Sequence, residues 1–212
     1  MKLHSSSFAN GAAIPAEFAF GKPGEHGESC VFASNLNPHL GWRDAPEGTR
    51  SFALMCIDLD VPSKPDDVNK QGHAVPAELP RVEFVHWLMI DVPSDCREIA
   101  AGSCSDGVTA HGKSNPRGPA GTKQGRNDYT GWFENDPDMD GAYLGYDGPC
   151  PPWNDERVHR YRFQVFALDT PSLGLAQGFT WTDAQRAMQG HALAETDYVG
   201  TYSFKEPLTQ SP

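Results

Sequence analysis

The chain has 212 residues and a formal net charge of −11 at pH 7, from 17 Lys and Arg against 28 Asp and Glu, a balance that opposes long-range attraction to nucleic acid or to an anionic membrane surface. Its longest apolar runs are strand-sized, which excludes a membrane-spanning helix and stable membrane insertion. The length fits one domain over residues 1–212, large enough to bury roughly 70% of the surface of the unfolded chain.

The N-terminus, Met1-Lys2-Leu3-His4-Ser5, lacks the hydrophobic core of a secretion signal. Cys30, Cys56, Cys96, Cys104 and Cys150 are odd in number and contain no CxxC pair. Free thiols in a reducing cytosol are therefore expected, and with them a cytoplasmic location. Abundant glycine and proline, with short apolar runs between them, point to a mainly β fold.

The first clear strand is Phe52–Leu59. It ends in Asp58-Leu59-Asp60-Val61-Pro62, whose spacing puts both carboxylates on one face. Such a pair can bind a cation, share a proton or orient a histidine; equally, two loop aspartates can be satisfied by backbone N–H groups. Ser63–Arg81 follows as a polar excursion with three prolines. A second strand, Phe84–Val92, carries His86, with Phe84, Leu88 and Ile90 expected on its side and Val85, Trp87 and Met89 opposite. A lone histidine in such a strand is ordinarily a core residue. Gly112–Gly141 is a second excursion, rich in Gly, Asn, Asp and Pro, and loops this long are usually functional or mobile. Within it Gly125-Arg126-Asn127-Asp128-Tyr129 reads as a tight structural turn held by an Asx hydrogen bond.

Gly145-Tyr146-Asp147-Gly148-Pro149-Cys150-Pro151-Pro152 holds three prolines and two glycines in eight residues, which forms a stiff loop rather than a helix or central strand. The strand Tyr161–Leu168 follows, and His159 and Tyr161, two apart, should project to one side of it. A second histidine beside a rigid loop raises the chemical interest of His86, since a histidine pair can donate hydrogen bonds to a phosphate or carboxylate. Late in the chain Thr182 can cap a helix over Asp183–Ala194, with Gln185 completing a capping box. His26, His39, His73, His111 and His191 lack metal-cluster spacing, and no GxSxG, HExxH or Walker pattern occurs. No metal, cofactor or catalytic residue is assigned.

Taken in order, Asp58-Leu59-Asp60-Val61-Pro62, His86-Trp87, Gly125–Tyr129, Gly145–Pro152 and His159-Arg160-Tyr161 resemble the phosphatidylethanolamine-binding proteins, also called Raf kinase inhibitor-like proteins, in their bacterial branch. The opening agrees, with Phe8, Ile14-Pro15, Asn37–Trp42 and Pro46–Phe52, and so does the end, with Gly190–Ala194 and Gly200-Thr201-Tyr202. The resemblance runs from about Phe8 to Phe204. It implies a β-sandwich of antiparallel-rich sheets with a few peripheral helices and a small anion pocket at one end. By that resemblance Asp58, His86, Gly148, Pro149, His159 and Tyr161 bind a phosphate-type head group, while Asp60 and Pro62 shape the rim. It also implies cis peptide bonds at Val61–Pro62 and Glu83–Phe84. Two departures stand out: Asp-Leu-Asp-Val-Pro replaces the family's Asp-Pro-Asp-Ala-Pro, and the excursions 63–81 and 112–141 are long, so that they could lid the pocket or build a subunit contact.

The expected function is binding of a small anionic or zwitterionic ligand, a phosphate or phosphorylated head group, with modulation of a partner protein also open. In this reading His86 and His159 supply N–H donors, Tyr161 a hydroxyl, and Gly148 a close backbone approach. Alternatives are a hydrolase of small phosphorylated or acyl substrates using an Asp–His pair, and a kinase or protease inhibitor module. A homodimer is compatible with the sequence. Cys150, at the pocket rim, is expected to be the most reactive thiol, its pKa lowered by a protonated histidine, and Cys56 to be inert.

Overall fold

Alternation in the central strands builds the core. The computed structural model describes residues 1–205. Strand β5 (Ser51–Pro62) is flanked by β6 (Arg81–Pro93) and β9 (His159–Leu168), all antiparallel. Phe52, Leu54 and Cys56 of β5 enter one cluster with Trp87, Met89, Phe163 and Val165. Ala53, Met55 and Ile57 enter a second with Val85, Leu88, Ile90 and Phe166. Side chains in a strand alternate between faces, so both faces of this sheet are apolar and both must be covered.

The first face is covered by a three-stranded sheet of β1 (Lys2–His4), β4 (Leu40–Arg43) and β7 (Glu98–Ile99). Leu40, Trp42 and Ile99 carry it into the shared core, which gives the β-sandwich. The second face is covered by helix α2 (Trp181–Met188), through Ala184 and Met188 with Phe179 from the preceding loop. The five-stranded sheet is completed at one edge by β10 (Ala192–Tyr202) and at the other by β8 (Lys123–Gln124). A small hairpin of β2 (Gly21–Lys22) and β3 (Val31–Phe32), and a single-turn helix α1 (Tyr129–Trp132), lie outside these layers.

Three local expectations are corrected. Helix α2 starts earlier and stops sooner than the sequence indicates. Thr180 is its N-cap, with Asp183 reciprocating in the capping box, and Gly190 at φ +83° ends the helical path. From Ala192 the chain joins the free edge of β9 as a full strand instead of continuing as helix. In β6 the simple alternation fails at His86. Cys56 pairs with Trp87 and Ile57 with Val85, so His86 is the extra residue of a β-bulge, and Leu88 and Ile90 share the face of Val85 instead. Finally, no peptide bond among the described residues is cis, so the bonds at Val61–Pro62 and Glu83–Phe84 are trans; Val61 and Pro62 pair with Val82 and Arg81, and Phe84 with Asp58, on either side of a register shift.

Candidate functional site

The bulge turns His86 out of the regular pleat, at the same end of the sheet where β5 and β9 bring Asp58 opposite Tyr161. Bulges commonly re-aim one side chain in this way. His86 is held by the stiff loop: its Nδ1–H donates to the Asp147 carbonyl at 2.7 Å, and its own carbonyl accepts the Asp147 N–H at 3.1 Å. Asp147 is itself held from three sides. Its carboxylate accepts from Asn35 Nδ2, Lys113 Nζ and Asn127 Nδ2, each at 2.8 Å. Because a carbonyl can only accept, Nδ1 carries the proton, and in the neutral ring Nε2 is a bare acceptor. Burial disfavours the charged ring and pulls the His86 pKa below the usual histidine value, against the opposing pull of Asp58.

His159 is the opposite case. It is fully buried, yet Nδ1 lies 2.7 Å from Asp58 Oδ2 and Nε2 lies 3.1 Å from Asp155 Oδ2. Two carboxylates acting on one ring require both nitrogens to donate. Burial opposes the charge, but hydrogen bonds and attraction from Asp155 and Asp58 outweigh it and raise the pKa to about 9. Asp155 is pinned in turn by Arg81, bidentate at 2.5 and 3.0 Å. Burial would raise its carboxyl, yet His159 and Arg81 bring it down to about 2. His159 is therefore an imidazolium with both N–H groups spent. It offers a ligand no free donor, and it has no lone pair with which to abstract a proton.

Other expected site residues also have structural duties. Asp60 does not accompany Asp58: the ladder slips between Asp58 and Val61, and Asp60 turns to Arg160, accepting from its backbone N–H, Nε and Nη2 at 2.9, 2.8 and 3.0 Å. Burial opposes its ionisation, and the Arg160 bonds outweigh that and lower its pKa. Gly148 serves backbone packing, not ligand approach. A Cβ there would lie 2.1 Å from the Phe18 carbonyl oxygen, its N–H donates to Asn35 Oδ1, and its carbonyl accepts the Tyr129 hydroxyl. The Pro149 carbonyl accepts from the N–H groups of Phe20 and Gly21. Tyr161 is fully buried, and its hydroxyl has no partner among the described residues; burial and the Asp58 charge hold its pKa well above the tyrosine range.

Four of the eight expected residues, Asp58, Pro62, His86 and His159, line one cleft of about 260 Å³; Asp60, Gly148, Pro149 and Tyr161 lie outside its wall. Apart from Asn69 and two cysteines, the rest of the wall is aliphatic, aromatic or proline, and both long excursions build it. Pro65, Val68 and Asn69 come from residues 63–81, clamped by Asn154, whose Nδ2 donates to the carbonyls of Asp67 and His73 at 2.8 and 3.1 Å. Tyr129, Trp132 and Phe133 come from residues 112–141. Tyr129 stacks on Phe20 with centroids 4.5 Å apart and meets His86 edge-on at 5.5 Å. The Asx turn expected at Asn127 is present, its Oδ1 accepting the Tyr129 N–H, so this turn also aims a wall residue.

Cys150 lines the cleft, but its thiol is the opposite of the expected one. A hydrogen bond with Cys30 and burial hold its pKa well above the usual value, while the same bond lowers that of the exposed Cys30. The neutral His86 supplies no positive charge, and the charge on His159 is spent on carboxylates. Cys56 is fully buried, and burial raises its pKa well above the usual value, so the inert thiol is where it was expected. Asp155 and Arg81 carried no sequence signal, and Asp147, Tyr129 and Cys30 stood in the sequence only as members of a loop, a turn and a set of free thiols, since each acquires its role at the site only from partners distant in the chain.

Comparison with known proteins agrees with this architecture. The family model described as phosphatidylethanolamine-binding protein matches residues 4–203. A UPF0098 protein of Aquifex aeolicus is 33% identical over 204 residues, covering 95% of this chain and 88% of the relative. YbhB of Escherichia coli, another UPF0098 protein, is 29% identical, covering 96% of this chain and 100% of its own. Among solved structures, Escherichia coli YbcL superposes with a TM-score of 0.65 at 23% identity, covering 96% of this chain and 98% of that one. The Chlamydia trachomatis homolog CT736 gives 0.64 at 24%, covering 95% and 96%. No described helix is long and apolar enough to cross a membrane. The chain belongs to the phosphatidylethanolamine-binding protein family, in its bacterial branch.

Proposed function

We propose that the protein binds a small phosphate-type head group at His86, with the organic part of the ligand against the aromatic and proline wall of the cleft. The observation that carries this reading is the Nε2 of His86, which has no hydrogen-bond partner among the described residues, on a cleft lined also by Phe20, Phe84, Tyr129, Phe133, Pro151 and Asp58. Because neutral His86 presents an acceptor there, an anion must arrive with a proton. Either the imidazole takes up one from water, or the ligand donates its own P–OH. A zwitterionic head group would in addition set its amine against the Asp58 carboxylate, which offsets the repulsion between that carboxylate and the anion.

The test is calorimetric titration with sulfate, which has no proton to lose in this range, and with phosphoethanolamine, between pH 5.5 and 8. Since the charged form of His86 is the binding form, sulfate affinity should rise as pH falls, by up to about tenfold per pH unit above the depressed His86 pKa. Phosphoethanolamine should bind more tightly than sulfate, and His86→Gln should abolish the pH dependence. Sulfate binding that is indifferent to pH, or that survives His86→Gln unchanged, would overturn the assignment.

A further inference from the structure

Two cysteines 120 residues apart in sequence meet at the mouth of the cleft, with Cys30 Sγ 3.8 Å from Cys150 Sγ. We propose that Cys30 and Cys150 form a reversible, peroxide-responsive dithiol–disulfide couple. The approach is built into the backbone on both sides. Cys150 sits between Pro149 and Pro151, and the Pro149 carbonyl accepts the N–H groups of Phe20 and Gly21. Cys30 precedes β3, whose Phe32 pairs with Gly21. Gly21 is the spacer: a Cβ there would lie 2.5 Å from Cys150 Sγ and 2.9 Å from Cys30 Sγ, so the two sulfurs occupy the space a side chain would fill.

The thiols have complementary roles. Cys30 is exposed, and its hydrogen bond with Cys150 favours the thiolate, whereas Cys150 is held as the thiol. The Cys30 thiolate attacks a hydroperoxide oxygen, the O–O bond breaks, and Cys30 becomes the sulfenic acid while the peroxide leaves as water or alcohol. Cys150 then attacks the Cys30 sulfur and loses its proton, the S–O bond breaks, and a second water departs as the disulfide forms. For hydrogen peroxide the sum is two thiols and one peroxide giving one disulfide and two waters. Dithiol reduction reverses it, as a transient disulfide in a reducing compartment requires. Both residues line the cleft, so the cross-link would tie the β2–β3 hairpin to the proline loop beside it.

The test needs no ligand, so its outcome is separate from the head-group reading. The reduced full-length protein is treated with stoichiometric hydrogen peroxide, quenched with iodoacetamide and mapped by peptide mass. The expected product has lost two of its five thiols and about 2 Da, in a Cys30–Cys150 linked peptide that dithiothreitol reverses. Cys150→Ser should leave Cys30 as a sulfenic acid trapped by dimedone, and Cys30→Ser should leave Cys150 unoxidised. A different disulfide, five intact thiols, or dimedone labelling of wild type equal to that of Cys150→Ser would each overturn the proposal.

Discussion

Replacing Asp155 by Asn is expected to destabilise the fold by about 3–5 kcal/mol, the usual cost of breaking a buried ion pair from one side. The Asp155 side chain is 2% exposed, and its carboxylate serves two cations at once, the bidentate Arg81 and Nε2 of His159. Asn is nearly isosteric, so the loss is electrostatic rather than steric. It supplies one acceptor where two were used, and its amide N–H groups face cations. Arg81 keeps its bonds to the carbonyls of Asp60, Leu79 and Pro76, which hold its position without neutralising it. A 212-residue chain should then lose roughly 10 °C in Tm. The pairing itself is isolated by a double-mutant cycle with Arg81→Gln, in which the double variant should be less destabilised than the sum of the single ones. A loss below about 1 kcal/mol, or strict additivity, would show that the Arg81–Asp155 pair contributes little.

What could be read from the chain divides along the distance of the interactions involved. The faces of β5 follow from its own alternation, and the stiffness of Gly145–Pro152 from its prolines, so these needed no partner. His86 was misplaced on its strand because a bulge is a property of a ladder. Only the pairing of Cys56 with Trp87 and Ile57 with Val85 reveals the extra residue. Helix α2 was overrun because Ala192 to Ala194 have helical propensity, while the β9 edge that captures them lies elsewhere in sequence. The resemblance grouped Asp58, His86 and His159, and they do meet at one cleft. It did not say which of their atoms were already engaged. That depended on Asp155 and Asp147, whose partners among Arg81, Asn35, Asn127 and Lys113 come from four other segments.

The two histidines, shifted in opposite directions, should give the protein a stability maximum near pH 6.5. His159 has a folded pKa of about 9 against the ordinary histidine value of about 6.5, so its contribution is complete below pH 6.5. It is lost as pH rises towards 9, because the unfolded chain releases a proton that the folded one keeps. One proton sets the slope at about 1.4 kcal/mol per pH unit, and the shift sets a total of about 3 kcal/mol. His86 works on the other side. Its folded pKa lies below 6.5, so its contribution is complete above pH 6.5 and falls as acid protonates the unfolded chain first. Urea unfolding between pH 5 and 9 should show both limbs, steepest on the alkaline side between pH 7 and 8.5. Asp155→Asn removes one of the two carboxylates that keep His159 charged, so it should flatten the alkaline limb while leaving the acid limb. The ring resonances of His159 should titrate near 9 and those of His86 below 6.5. A profile flat from pH 6.5 to 8.5, or a His159 ring that titrates below 7, would mean that the two carboxylates do not hold the imidazolium as the geometry requires.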